Sequence, residues 1–143
     1  MFQLDIFGDE IELGSDEIEL KQLYDYAIEQ SLKWWGRKFN IEIKLVNTKW
    51  RRMLACYEYS KNNEYPPVIK MSTAINKTLS KERVEKYLLH EMVHWHLHTS
   101  GMPFKDTDVT FIKECLRVGA AFSGCIKAKG ALEKYIAFTG NGR

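Results

Sequence analysis

Apolar side chains recur along this chain at two spacings, and each spacing predicts a different element. From Glu17 to Phe39 the residues Ile18, Leu23, Ala27, Ile28, Leu32, Trp35 and Phe39 fall at helical intervals, which predicts a long amphipathic helix. Ile41-Glu42-Ile43-Lys44-Leu45-Val46 alternates with a period of two, the mark of a half-buried strand. Met53 to Tyr59 and Val68 to Ser72 predict two more short strands. Asn62-Asn63-Glu64 and Pro66-Pro67 supply the loop between them. Residues 2–13 alternate weakly around Gly8-Asp9, as a small hairpin or a loose arm would. Val109 to Phe122 predicts another helix, with capping material at Asp106 to Asp108. Ala131 to Phe138 predicts a short helix, and Thr139 to Arg143 a frayed tail.

Between the third strand and the Val109 helix lies the most continuous apolar stretch. From Leu88 to Leu97 every residue is apolar except His90, Glu91, His94 and His96. Ser80 is a good N-cap, Glu82 sits where the helix dipole favours negative charge, and Gly101 and Pro103 supply a stop. A helix that is apolar nearly all round is buried. Together these elements predict an α+β fold, with a long N-terminal helix, this buried helix and the one after it packed on a small, antiparallel, three-stranded sheet. Val68 to Ser72 is expected to be the sheet edge beside the buried helix, where an extended peptide could add by main-chain hydrogen bonds. The chain divides into an arm or hairpin (1–16), a domain (17–125) and a C-terminal extension (126–143).

The buried helix carries the chemistry. His90-Glu91-Met92-Val93-His94 reads H-E-x-x-H. Residues four apart on a helix share a face, so the two imidazoles can each bring a nitrogen to one zinc ion. The intervening glutamate is placed to take a proton from a water that the metal activates. Buried ionisable groups are costly unless paired, hydrogen-bonded or metal-bound, and a metal site meets all three needs at once. The alternative is a helix with two core histidines bonded to backbone carbonyls.

Composition adds bounds. With 143 residues, 45% of them hydrophobic, the chain can build one core of useful size. No run of 18 apolar residues predicts a membrane span, and Met1-Phe2-Gln3-Leu4-Asp5 lacks the features of a signal peptide. Cys56, Cys115 and Cys125 form no CxxC pair, so a zinc ribbon or disulfide framework is not indicated and a cytoplasmic setting is expected. Charge is unevenly spread although the net is only +2. Lys33, Arg37, Lys38, Lys44, Lys49, Arg51 and Arg52 cluster with Trp34, Trp35 and Trp50. Such a stretch could contact nucleic acid through cations and stacked rings, with Lys49, Arg51 and Arg52 the expected DNA contacts. Solvated basic faces with tryptophans turned into the core are the plainer reading.

A catalytic zinc site needs a third protein ligand. His96 lies about 200° around the helix from His94, and His98 about 12 Å along the axis from His90. The first cannot share the metal and the second could do so only under strain. Beyond the helix, Asp106 and Asp108 are acceptable donors, with helix capping as their plainer role.

From about Trp34 to Ala121 the chain resembles the SprT-like zinc metalloproteases, the Spartan-related family, in the manner of a short bacterial or phage-type member. The resemblance rests on the strands around Ala55-Cys56-Tyr57 and Val68-Ile69-Lys70-Met71-Ser72. It also rests on the helix bearing Glu91, on His94-Trp95-His96-Leu97-His98, and on Phe111 followed by Arg117-Val118-Gly119-Ala120. It implies a zincin-like minimal metalloprotease fold with bound Zn²⁺. It also implies protein or peptide substrates, including proteins on DNA or crosslinked to it. The family's third ligand is a histidine shortly before the aromatic that matches Phe111, and here no histidine follows His98. The match puts Asp106 in that place, with Asp108 as second choice. The resulting expectation is a monomeric zinc endopeptidase with metal ligands His90, His94 and Asp106 and catalytic Glu91. The alternative is a degenerate, non-catalytic module that binds DNA or a protein partner.

Overall fold

The computed structural model describes residues 12–47, 55–73, 79–122 and 126–138. In chain order the elements are α1 (Glu12–Trp35), β1 (Glu42–Val46), β2 (Ala55–Glu58), β3 (Val68–Ser72), α2 (Lys81–Thr99), α3 (Val109–Val118) and α4 (Ile126–Phe138). The fold is α+β. No described helix is long and apolar enough to cross a membrane.

α1 differs from its sequence forecast at both ends. It begins at Glu12, so the last residues assigned to an N-terminal arm are helical; residues 1–11 lie outside the described residues, as does the tail from Thr139. It ends at Trp35 rather than Phe39 because Gly36 takes φ 62°, and its N–H closes on Leu32 O at 3.1 Å. That left-handed conformation is nearly free for glycine and costly for other L-residues. Ser31 Oγ donates to Arg37 O at 2.6 Å and pins the turn. The same device ends α3 at Val118 instead of Phe122, with Gly119 at φ 79°. α2 runs from Lys81 to Thr99, where its signals placed it. Ser80 Oγ caps Arg83 N, and Gly101 N to His98 O with Met102 N to Leu97 O form a Schellman closure.

The sheet is mixed, which corrects the antiparallel expectation. Its order is β1-β3-β2, with β1 parallel and β2 antiparallel to β3. Parallel neighbours need a crossover of a dozen or more residues. The segment from Asn47 to Pro67 provides one, and β2 lies within it on the far side of β3. The expected edge, Val68–Ser72, is therefore the centre. Ile69, Met71 and Ser72 are buried, as suits a strand flanked on both sides. Among the described residues, the edge beside α2 is β2.

The core lies between sheet and helices. Leu23 and Ala27 of α1, Ile43, Ile69 and Met71 of the sheet, Leu88, Met92 and Trp95 of α2, and Phe111 and Cys115 of α3 are all buried in it. The Tyr24 hydroxyl accepts from Ile43 N at 2.8 Å and locks α1 to β1. The α1 tryptophans serve this packing. Trp35 stacks on His96 at 4.4 Å and donates to Glu114 at 2.6 Å; Arg37 lies over Trp95 at 4.1 Å. This part of the basic, aromatic stretch braces α1 against α2 and α3. Lys49, Arg51, Arg52 and Trp50 lie outside the described residues.

Candidate metal centre

One turn of α2 separates His90 from His94, and their rings meet at 5.0 Å. Each ring is fixed by its Nδ1. His90 Nδ1 contacts Ala121 O at 2.7 Å, and His94 Nδ1 contacts Phe104 O. A carbonyl only accepts, so both Nδ1 atoms carry the proton, and each neutral ring would turn an Nε2 lone pair inward. Second bonds of this kind are what orient metal-ligating histidines. The two carbonyls come from the segments before and after α3. Phe111 of α3 fills the floor, stacked on His94 at 4.1 Å and edge-on to His90 at 5.0 Å.

Into the space between the two Nε2 atoms comes Asp106. Its Oδ1 is 2.9 Å from His94 Nε2 and 3.2 Å from His90 Nε2. Both are ion-pair contacts, and while the two Nδ1 atoms hold the protons neither Nε2 has one to donate to Oδ1. Asp106 Oδ1 is buried with no hydrogen-bond partner among the described residues. Neighbouring donors of a tetrahedral site with bonds of about 2.0–2.2 Å sit roughly 3.3–3.6 Å apart, close to these contacts. With both rings neutral, two Nε2 lone pairs and a carboxylate oxygen at this spacing could hold a small cation.

Glu91 faces the same space from the helix. Ligand atoms of His90, Glu91 and His94 lie within 4.8 Å of one another, so the three could hold a metal ion. The Glu91 carboxylate is 4.0 Å from His90 Nε2, farther than either Asp106 contact.

The electrostatics agree with a cation site that takes a proton in the cation's place. Burial pulls the His90 pKa down most strongly, but the Asp106 carboxylate, Cys115 and Glu91 outweigh it and hold the imidazole well above its usual 6.5. Burial works against ionisation of Asp106 too, yet the two imidazoles drive its carboxyl far below the ordinary range. Glu91 is raised chiefly by burial, against the pull of the histidines and a hydrogen bond from the Tyr57 backbone N–H.

The structure thus brings together His90, His94, Asp106 and Glu91, and separates the remaining candidates. Asp108 is the N-cap residue of α3, and its Oδ2 accepts from Lys105 N at 2.9 Å. His98 pairs with the Tyr57 hydroxyl at 2.8 Å and packs against Tyr59 and Phe104. His96 lies against Trp35. Sequence reasoning missed the carbonyls of Phe104 and Ala121 and the N–H of Tyr57; backbone groups leave no signature in side-chain identity. Cys115 beside His90 was legible only as an apolar position on α3. Compared with known families, curated proteins and solved structures, the chain matches none of them.

Proposed function

We propose that the protein is a zinc-dependent endopeptidase, with His90, His94 and Asp106 as metal ligands and Glu91 as general base. One observation carries the reading: a buried Asp106 Oδ1 within 3.2 Å of two Nε2 atoms, beside a buried glutamate. When bound, zinc supplies Lewis acidity, which polarises a carbonyl and makes water a better acid. The chain supplies the rest. His90 and His94, tethered through Nδ1 to two carbonyls, hold their Nε2 atoms in place. Glu91 takes the proton from the attacking water and returns it to the leaving amine. Its raised pKa suits a group that must both accept and release a proton, and the Tyr57 N–H fixes one of its oxygens.

The substrate would lie extended along β2. Among the described residues that strand is the sheet edge beside α2, the kind of edge to which an extended peptide can add by main-chain hydrogen bonds. By the resemblance drawn from sequence, its substrates include proteins on DNA, with Lys49, Arg51 and Arg52 touching the nucleic acid. The test is Glu91→Gln, assayed for zinc content and for cleavage of unfolded and DNA-bound proteins. Lost cleavage with retained zinc is expected. Cleavage at the wild-type rate would overturn the mechanism. Failure of the wild-type chain to cleave any substrate, with intact salt-sensitive DNA binding, would favour a non-catalytic binding module.

A further inference from the structure

Asp108 occupies the N-cap of α3 with extended backbone, yet its side chain makes no bond to the first turn of that helix. An aspartate at this position ordinarily accepts from the N–H two or three residues on. Here the carboxylate turns back. Its Oδ2 accepts from Lys105 N at 2.9 Å, while its own N–H donates to Lys105 O, also at 2.9 Å. The two bonds close a ring around Asp106 and Thr107. The ring is anchored at both ends, through Phe104 O on His94 Nδ1 and through Asp108 O, which accepts from Ile112 N at 3.0 Å.

Asp106 Oδ1 meets both Nε2 atoms, and the way its carboxylate is carried there depends on the turn it sits in. Its aim at the imidazoles is therefore set by the backbone that carries it, and that backbone is held by Asp108. We propose that Asp108 is the positioning residue of the site: it locks the Lys105–Asp108 turn, points the Asp106 carboxylate between His90 and His94, and so raises metal affinity without touching the metal. The inference rests on the metal-site reading above.

Only an acceptor at Oδ is required, so asparagine should substitute and alanine should not. Zinc affinity is read by competition with a chromogenic chelator, on chains whose fold is verified by circular dichroism. Asp108→Ala is expected to weaken zinc binding about 10- to 100-fold, the range for partners that orient ligands. Asp108→Asn is expected to stay within about twofold of wild type, by the same reasoning. In an Asp106→Ala background, Asp108→Ala is expected to cause no further loss, because there is no carboxylate left to aim. A residue serving only the stability of α3 would lower the melting temperature of the chelated protein without moving zinc affinity. The proposal is overturned by unchanged affinity in Asp108→Ala, by equal losses in the Asn and Ala variants, or by the same loss with and without Asp106. A wild-type chain that takes up no zinc would remove the metal reading as well. Zinc binding that Asp106→Ala weakens and Asp108→Ala does not would remove this proposal alone.

Discussion

Zinc and a proton should compete for one atom, His90 Nε2. The Nδ1 proton of His90 is committed to Ala121 O, so the extra proton of the charged ring sits on Nε2, facing Asp106. In the metal-free fold His90 stays charged well above pH 6.5, so a metal taking Nε2 must expel that proton. One proton released makes affinity rise about tenfold per pH unit, or about 1.4 kcal/mol per unit. The metal-free protein should move the other way. A histidine with a raised folded pKa contributes stability that is complete below pH 6.5 and is lost as pH rises through the folded value. Asp106, with its pKa lowered from 3.8, contributes stability that is complete above that value and is lost as pH falls through the lower folded one. The pair therefore supports the metal-free fold best between those limits, and less at pH 8. Calorimetric titration with zinc at pH 6 and 7, in buffers of different ionisation enthalpy, counts the protons. We expect close to one from His90, and a gap in melting temperature between zinc-loaded and chelated protein that widens from pH 6 to pH 8. Asp106→Asn should lower the proton count, because the His90 cation loses its carboxylate. Zinc affinity flat between pH 6 and 7, or no proton released, would refute the argument.

Other perturbations have separate readouts. Glu91→Gln removes a carboxylate that burial penalises, so chemical denaturation should show a metal-free chain at least as stable as wild type. Phe111→Ala empties the floor under both imidazoles and should cost about 3–5 kcal/mol in urea unfolding; a loss below 1 kcal/mol would contradict its place in the core. Gly36→Ala forces a side chain onto a backbone at φ 62° and should cost about 1–2 kcal/mol, although nothing stands in the way of the added Cβ. Tyr57→Phe leaves the ring packing and deletes the bond to His98, so β2 amides should exchange faster for a loss of about 1 kcal/mol.

The parts written in side-chain identity were the readable ones. α2 was legible from end to end because its caps, its apolar run and its stop are local signals. The residues alone left Asp106 and Asp108 both open as a third ligand, and only the family resemblance put Asp106 first. Strand order was not legible. Alternation along Ile41–Val46 tells which face is buried, not which neighbour will bond, and the central position of β3 depends on a crossover that leaves no local mark. Helix ends at Gly36 and Gly119 were there to be read as glycines, but apolar residues beyond them continued the helical period and hid the stop. Trp34, Trp35 and Arg37 could be read as part of a nucleic-acid surface, with core tryptophans and solvated cations the plainer reading. That Trp35 and Arg37 pack against Glu114, His96 and Trp95, far away in sequence, only the structure shows.

Strand order also sets a timetable for synthesis. Among the described residues, β1 and β2 do not pair with each other and each pairs with β3. Translation delivers them in the order β1, β2, β3, so the strand that joins the sheet emerges last. Until Val68–Ser72 leaves the ribosome, the two earlier strands have no native partner, and each is an open edge of the kind that recruits strands from other chains. α2, which seals the sheet and carries both histidines, comes later still. The nascent chain therefore has to carry its two outer strands unpaired until the middle one arrives, and that interval is when this protein is most exposed to aggregation.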